Sequence, residues 1–138
     1  MADDKLIKLI ELLAKRSDQG KVRWEKTLDD GVFQAAFSEG FSMRISERPS
    51  ETEPEGTDVV VTLYNEEGEV IERFSDADFG GAKIFGKHPY QTMKEIYTTA
   101  RRTAMGAAKA IDTIIGELHE PEDDQPDVRT PNDDEVPF

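Results

Sequence analysis

Residues 90–118 read YQTMKEIYTTARRTAMGAAKAIDTIIGEL, and the fold turns on how they are read. The apolar residues Met93, Ile96, Tyr97, Ala100, Ala104, Ala107, Ala108, Ile111, Ile114, Ile115 and Leu118 recur at steps of mostly three and four. That spacing lines one side of a helix. Pro89 stands where helices favour proline, because the first turn does not need its N–H. Pro121 falls just past the end, where a helix must stop. At ~1.5 Å per residue the predicted rod is about 43 Å long. Ile111 and Ile115 are expected to face inward, against a sheet. Ala100, Ala104, Gly106, Ala107, Ala108 and Ala110 make its middle narrow. A glycine there costs roughly 1 kcal/mol against alanine, so close approach of another backbone is the expected return. The sheet, the first helix or a second subunit would fit.

Upstream, residues 3–19 predict a shorter helix. Leu6, Leu9, Ile10 and Leu13 form its buried stripe, flanked by Ile7 and Leu12. Asp3 and Asp4 near its start and Lys15 and Arg16 near its end match the helix macrodipole. Gly20 is a natural stop. Between the helices the period changes to two. Lys21 to Thr27 predicts a short strand carrying Trp24. Phe33, Ala35 and Phe37 alternate with polar or small residues, as do Phe41, Met43 and Ile45, and a short Gly-containing link between them makes a hairpin. Val59, Val61 and Leu63 alternate with Val60, Thr62 and Tyr64, and Asn65 to Gly68 turns the chain back into Val70 to Phe74. Glu47 to Thr57 is a surface loop, and Ser75 to His88 is Gly-rich and irregular. A half-buried antiparallel sheet needs one face covered. The expected fold is therefore α+β: an N-terminal helix, a meander of four or five strands, and a long C-terminal helix packed on the sheet. The expected domain is residues 1–119, followed by an acidic tail, 120–138.

The chain has 138 residues, no cysteine and a net charge of −13. Disulfides and thiolate chemistry are thereby excluded. No apolar run reaches the ~20 residues of a membrane span, and the charged N-terminal stretch does not suit a signal peptide. A cytoplasmic protein is expected. Eight acids and Arg129 give residues 120–138 a charge of −7, leaving −6 for residues 1–119.

Several motifs fail on their chemistry. Gly81 to Lys87 approaches the phosphate-loop pattern, but His88 cannot supply the hydroxyl that holds Mg²⁺. Ser75-Asp76-Ala77-Asp78 resembles the start of a calcium loop, yet counting from Asp76 puts Lys87 where a bidentate Glu belongs. A turn or helix cap is expected there instead. His88 and His119 lack zinc-site spacing. No metal, cofactor or catalytic residue is expected, and the chain reads as non-enzymatic.

Two basic groupings remain. Lys83, Lys87, Lys94 and Arg101 are candidates to hold an anion or the chain's own acidic tail. Lys21, Arg23, Trp24, Lys26, Phe41, Arg44 and Arg48 interleave cations with aromatics on the first strands. Such a surface can stack and neutralise single-stranded DNA. A domain this small also needs its aromatics as core.

The tail ends Asp133-Asp134-Glu135-Val136-Pro137-Phe138. Its leash, with Pro121, Pro126 and Pro131, carries too little apolar surface to order itself. The ending suits a docking peptide: Phe138 for an apolar pocket, its α-carboxylate for a rim cation, the acids for steering. These six residues resemble the tip of bacterial single-stranded DNA-binding proteins, Asp-Asp-Asp-Ile-Pro-Phe, with Glu135 and Val136 as mild changes. The resemblance implies partners that accept that tip, the replication, recombination and repair enzymes. It does not extend to the body, since an OB-fold is not expected to begin and end with such helices. The body's pattern resembles small uncharacterised bacterial proteins, which carry no function over. Its element order is also similar to Whirly and PUR domains, which bind single strands. The alternative expectation is a phage or defence accessory module that binds protein, with an acidic DNA-mimicking tail and no DNA binding.

Overall fold

The computed structural model describes residues 4–51 and 53–119. Helix α1, Asp4–Asp18, is followed by strands β1 (Glu25–Lys26), β2 (Phe33–Ala36), β3 (Ser42–Pro49), β4 (Thr57–Tyr64) and β5 (Val70–Ser75). Helices α2, Pro89–Ala104, and α3, Ala107–Leu118, complete the order. The strands form one antiparallel sheet in sequence order, β1-β2-β3-β4-β5. This is the α+β meander that the alternating periods predict. The predicted strand 21–27 is only two residues long, because the chain before it turns Val22 and Trp24 into the core.

The chain divides into two units, residues 1–105 and the segment from Gly106 onward. In the first, one sheet face presents Phe33, Ala35, Met43, Ile45, Val59, Val61 and Phe74 to the core. Helix α2 covers that face with Met93, Ile96, Tyr97 and Ala100, and α1 packs on α2 through Ile10 and Leu13. The buried stripe of α1 is narrower than predicted, and Leu12 is exposed. Helix α1 ends as its sequence dictates. Gly20 adopts φ +75°. Its N–H donates to Ser17 and that of Lys21 to Arg16. These are the two bonds of a Schellman cap.

The second unit corrects the reading of residues 90–118. One 29-residue rod is not formed. Helix α2 stops at Ala104, and Gly106 takes a left-handed conformation (φ 72°, ψ 33°) before α3 begins. A left-handed residue is costly for any side chain and cheap for glycine. Nothing lies within 4 Å of where a Cβ on Gly106 would be. The glycine therefore serves the turn, not the close backbone approach expected from the small residues around it. No residue of α3 is buried, and Ile111 and Ile115 are 44% and 49% exposed. The predicted burial of that face does not occur.

Candidate nucleic-acid interface

Alternation along each strand makes a second sheet face, opposite the core. Its middle row crosses all five strands. Glu25 pairs with Gln34, Gln34 with Arg44, Arg44 with Thr62, and Thr62 with Arg73. Strands lie ~4.8 Å apart, so the Cα atoms of Arg44 and Arg73 are separated by about 10 Å across β4. Further along the same face, Arg48 pairs with Asp58 and Ser42 with Tyr64.

These arginines are held but not neutralised. The Nε of Arg44 donates to Oε1 of Gln34 at 2.9 Å, and its Cζ sits 5.3 Å from the centroid of the Tyr64 ring. The ring fixes the guanidinium by a cation–π contact. The Nε of Arg73 lies 3.4 Å from Oγ1 of Thr62. The only ion pairs among the described residues are Lys87–Glu95 and Lys94–Glu47. Arg44, Arg48 and Arg73 therefore have no carboxylate partner among those residues. A guanidinium with free N–H groups on a firm base has the geometry that suits a phosphate.

The other predicted contacts divide. Trp24 is 2% exposed, and its Nε1 donates to the buried Oγ of Ser17 at 3.0 Å. It is a core residue that ties the β1 approach to α1, so it cannot stack a base. Phe41 is exposed at the end of the β2–β3 hairpin, beside exposed Phe37. Lys21 and Arg23 are exposed in the segment before β1. Lys26 has the opposite strand parity from Glu25 and lines a cavity of about 170 Å³ with Asp29, Asp30 and Arg101. Only Arg44 and Arg48 of the predicted set lie on the arginine-bearing face. Arg73 and Tyr64 were not among the predicted contacts. Their parity held the signal: Arg73 precedes inward Phe74, and Tyr64 follows the Val60, Thr62 alternation.

The second basic grouping is not one site. The Nζ of Lys87 lies 3.0 Å from Oε2 of Glu95. Lys94 pairs with Glu47, a bond that raises the lysine pKa, and its Nζ is 5.3 Å from the Tyr97 ring centroid. Lys83 is exposed, and Arg101 belongs to the cavity with Lys26. The glycine-rich segment also differs from a phosphate loop. Ile84 and Lys87 close a tight turn through paired backbone bonds, and Ile84 is fully buried under the Thr92 hydroxyl bond. Ser75 and Asp78 form the expected cap: Oγ of Ser75 accepts from Ala77 N–H, and Oδ2 of Asp78 accepts from Ser75 N–H. The tip, Asp133 to Phe138, lies outside the described residues. Among the described residues no helix is long and apolar enough to cross a membrane.

No family model, curated protein or solved structure matches the chain.

Proposed function

We propose that the protein is a non-enzymatic, cytoplasmic genome-maintenance factor that binds single-stranded DNA on the arginine-bearing face of its sheet. The observation that carries this reading is the row Gln34–Arg44–Thr62–Arg73, with Tyr64 under Arg44 and no carboxylate pairing either arginine among the described residues. Charge screening at physiological salt acts over about 8 Å. A local cationic patch therefore works on a chain whose net charge is −13.

The test is fluorescence anisotropy with labelled oligo-dT. Affinity should fall steeply as salt rises, because phosphate contacts release counterions. Arg44→Glu and Arg73→Glu should each weaken binding by about tenfold or more, the equivalent of ~1.4 kcal/mol. Deleting residues 120–138 should strengthen it, since that segment carries −7 of repelling charge. Trp24→Ala should act through folding, not through the DNA contact. Absence of binding at low salt, with and without the tail, would retire the reading.

A second reading rests on the sequence ending Asp133-Asp134-Glu135-Val136-Pro137-Phe138. In it the protein docks on partners that accept the single-stranded DNA-binding-protein tip. A peptide of those six residues should displace the natural tip. Loss of Phe138 should cost about 30-fold, the equivalent of ~2 kcal/mol for a buried aromatic anchor. Reversal of Asp133 and Asp134 should act less, and mainly on association rate. The opposite ordering would mark the tail as an electrostatic brush or DNA mimic.

A further inference from the structure

The arginine-bearing face ends in an apolar patch that the core does not use. Between β4 and the edge strand β5 the register shifts: Leu63 pairs with Glu72, but Tyr64 pairs with Val70. Ile71 is the extra residue of this β-bulge. Bulges favour sheet edges and re-aim side chains. Here the bulge sets two aliphatic residues on one face. Val70 shares the face of its cross-strand partner Tyr64. Ile71 shares the face of Arg73, two positions along the same strand. That face is the one opposite the core, since Tyr64 alternates with Thr62, and Thr62 pairs with both Arg44 and Arg73. Val70 and Ile71 stand outside the core cluster and are 54% and 49% exposed.

The surrounding charge selects what such a patch can take. On one side are Arg44 and Arg73, with no carboxylate partner among the described residues. On the other side the β4–β5 turn carries Glu66, Glu67 and Glu69. Asn65 ties one of these to the turn, its Nδ2 donating to Oε1 of Glu69 at 2.9 Å. A phosphate is drawn to the arginines and repelled by the turn. What fits between them is neutral and apolar. The row from Val70 and Tyr64 runs on to Ser42 and Ala36, whose small side chains leave the surface low. Arg73 and Ile71 are ~7 Å apart along the strand, a separation that one nucleotide spans. A nucleotide's flat, uncharged part is its base, and every base has a π face that can be seated.

We propose that Val70 and Ile71, with Tyr64 beside them, are the base-binding subsite for a single strand whose phosphates lie on Arg44 and Arg73. The subsite rests on strand binding by the arginine row, and its test separates the two.

Fluorescence anisotropy of the full chain is measured with two labelled probes of equal length and charge. One is oligo-dT of about eight nucleotides, the scale of a small single-strand site. The other is its abasic counterpart, which keeps every phosphate and sugar and has no base. Wild type should bind oligo-dT about fivefold more tightly or better, the lower end of what one seated base contributes. Ile71→Thr puts another strand former at an exposed position, so the melting midpoint should hold. It should bring oligo-dT toward the abasic affinity and leave the abasic affinity unchanged. Val70→Thr should do the same, and it carries the comparison if Ile71→Thr lowers the midpoint. Arg73→Glu should weaken both probes. Equal affinity of wild type for the two probes, both weakened by Arg73→Glu, would overturn the subsite and leave strand binding standing. So would unchanged oligo-dT affinity in both threonine variants. If neither probe binds at low salt, the subsite and strand binding fall together. A wild-type dimer that Ile71→Thr dissociates in sedimentation would give the patch to a second copy of the chain and overturn the assignment.

Discussion

Helices α2 and α3 carry the same periodicity and meet opposite fates. Met93, Ile96, Tyr97 and Ala100 step by three and four along α2 and are all buried. Ile111, Ile114, Ile115 and Leu118 step likewise along α3 and are all exposed. Amphipathicity names the face that a helix would bury; it does not supply the surface that buries it. Helix α2 meets the core face of the sheet and is held there by specific ties. The Tyr97 hydroxyl donates to Gly31 O at 2.9 Å, its ring lies 5.7 Å from that of Phe33, and Lys94 reaches Glu47 on β3. Helix α3 has no buried residue to anchor an equivalent set.

The largest effect that sharpens this contrast is expected at Ile96. It is 1% exposed and belongs to the core cluster that α2 shares with the sheet and α1. Ile96→Ala should cost about 2–5 kcal/mol in urea unfolding, the usual range for a buried aliphatic truncated to alanine. A loss below ~1 kcal/mol would mean that α2 is not the lid of the core.

How legible these features were in the sequence depends on the kind of information each needs. The strands and the two sides of the sheet follow from alternation, so Val59, Val61 and Phe74 inside and Arg73 outside can be read without coordinates. The break at Gly106 cannot. Alanines flank it on both sides, the apolar period runs through it, and no proline marks it. Only the left-handed φ reveals that the glycine ends a helix. Trp24 fails for a different reason. Its neighbours Arg23 and Lys26 suggest a DNA platform, but whether its ring points in or out depends on the Ser17 hydroxyl waiting on α1.

The break itself gives the next test. Gly106→Ala places a Cβ in a left-handed residue with open space around it, so the cost is backbone strain alone, about 1 kcal/mol. Thermal unfolding and helical circular dichroism should both show it. A gain in stability with added helicity would mean that residues 89–118 run on as one rod, and the contrast between α2 and α3 would dissolve. A smaller effect is expected at Lys94. Its side chain is 40% exposed, so solvent screens most of its attraction to Glu47. Lys94→Met should cost about 0.5 kcal/mol. The hydrogen bond to Glu47 raises the lysine pKa above 10.5 in the folded chain. Its contribution is then complete below 10.5 and is lost as pH rises through the raised value. An equal mutational cost at neutral pH and well above that value would show that the pair is inert.

The smallest effect is expected on α3. Ile111→Ala removes side-chain atoms that are 44% exposed, on a helix with no buried residue. Little transfer free energy is at stake, and no enclosed cavity is left behind. The change should stay within ~0.5 kcal/mol, as surface substitutions do. Propensity pulls the same way, because alanine is the better helix former. Twelve residues are near the lower limit for a helix in water without tertiary support. Amides of α3 should therefore exchange with solvent faster than those of α2, in the same sample and at the same pH. Slow exchange along α3, together with a loss of several kcal/mol in Ile111→Ala, would show that its apolar face is covered in solution. The period of residues 107–118 would then have named a real interface, and α2 and α3 would differ only in which partner each one meets.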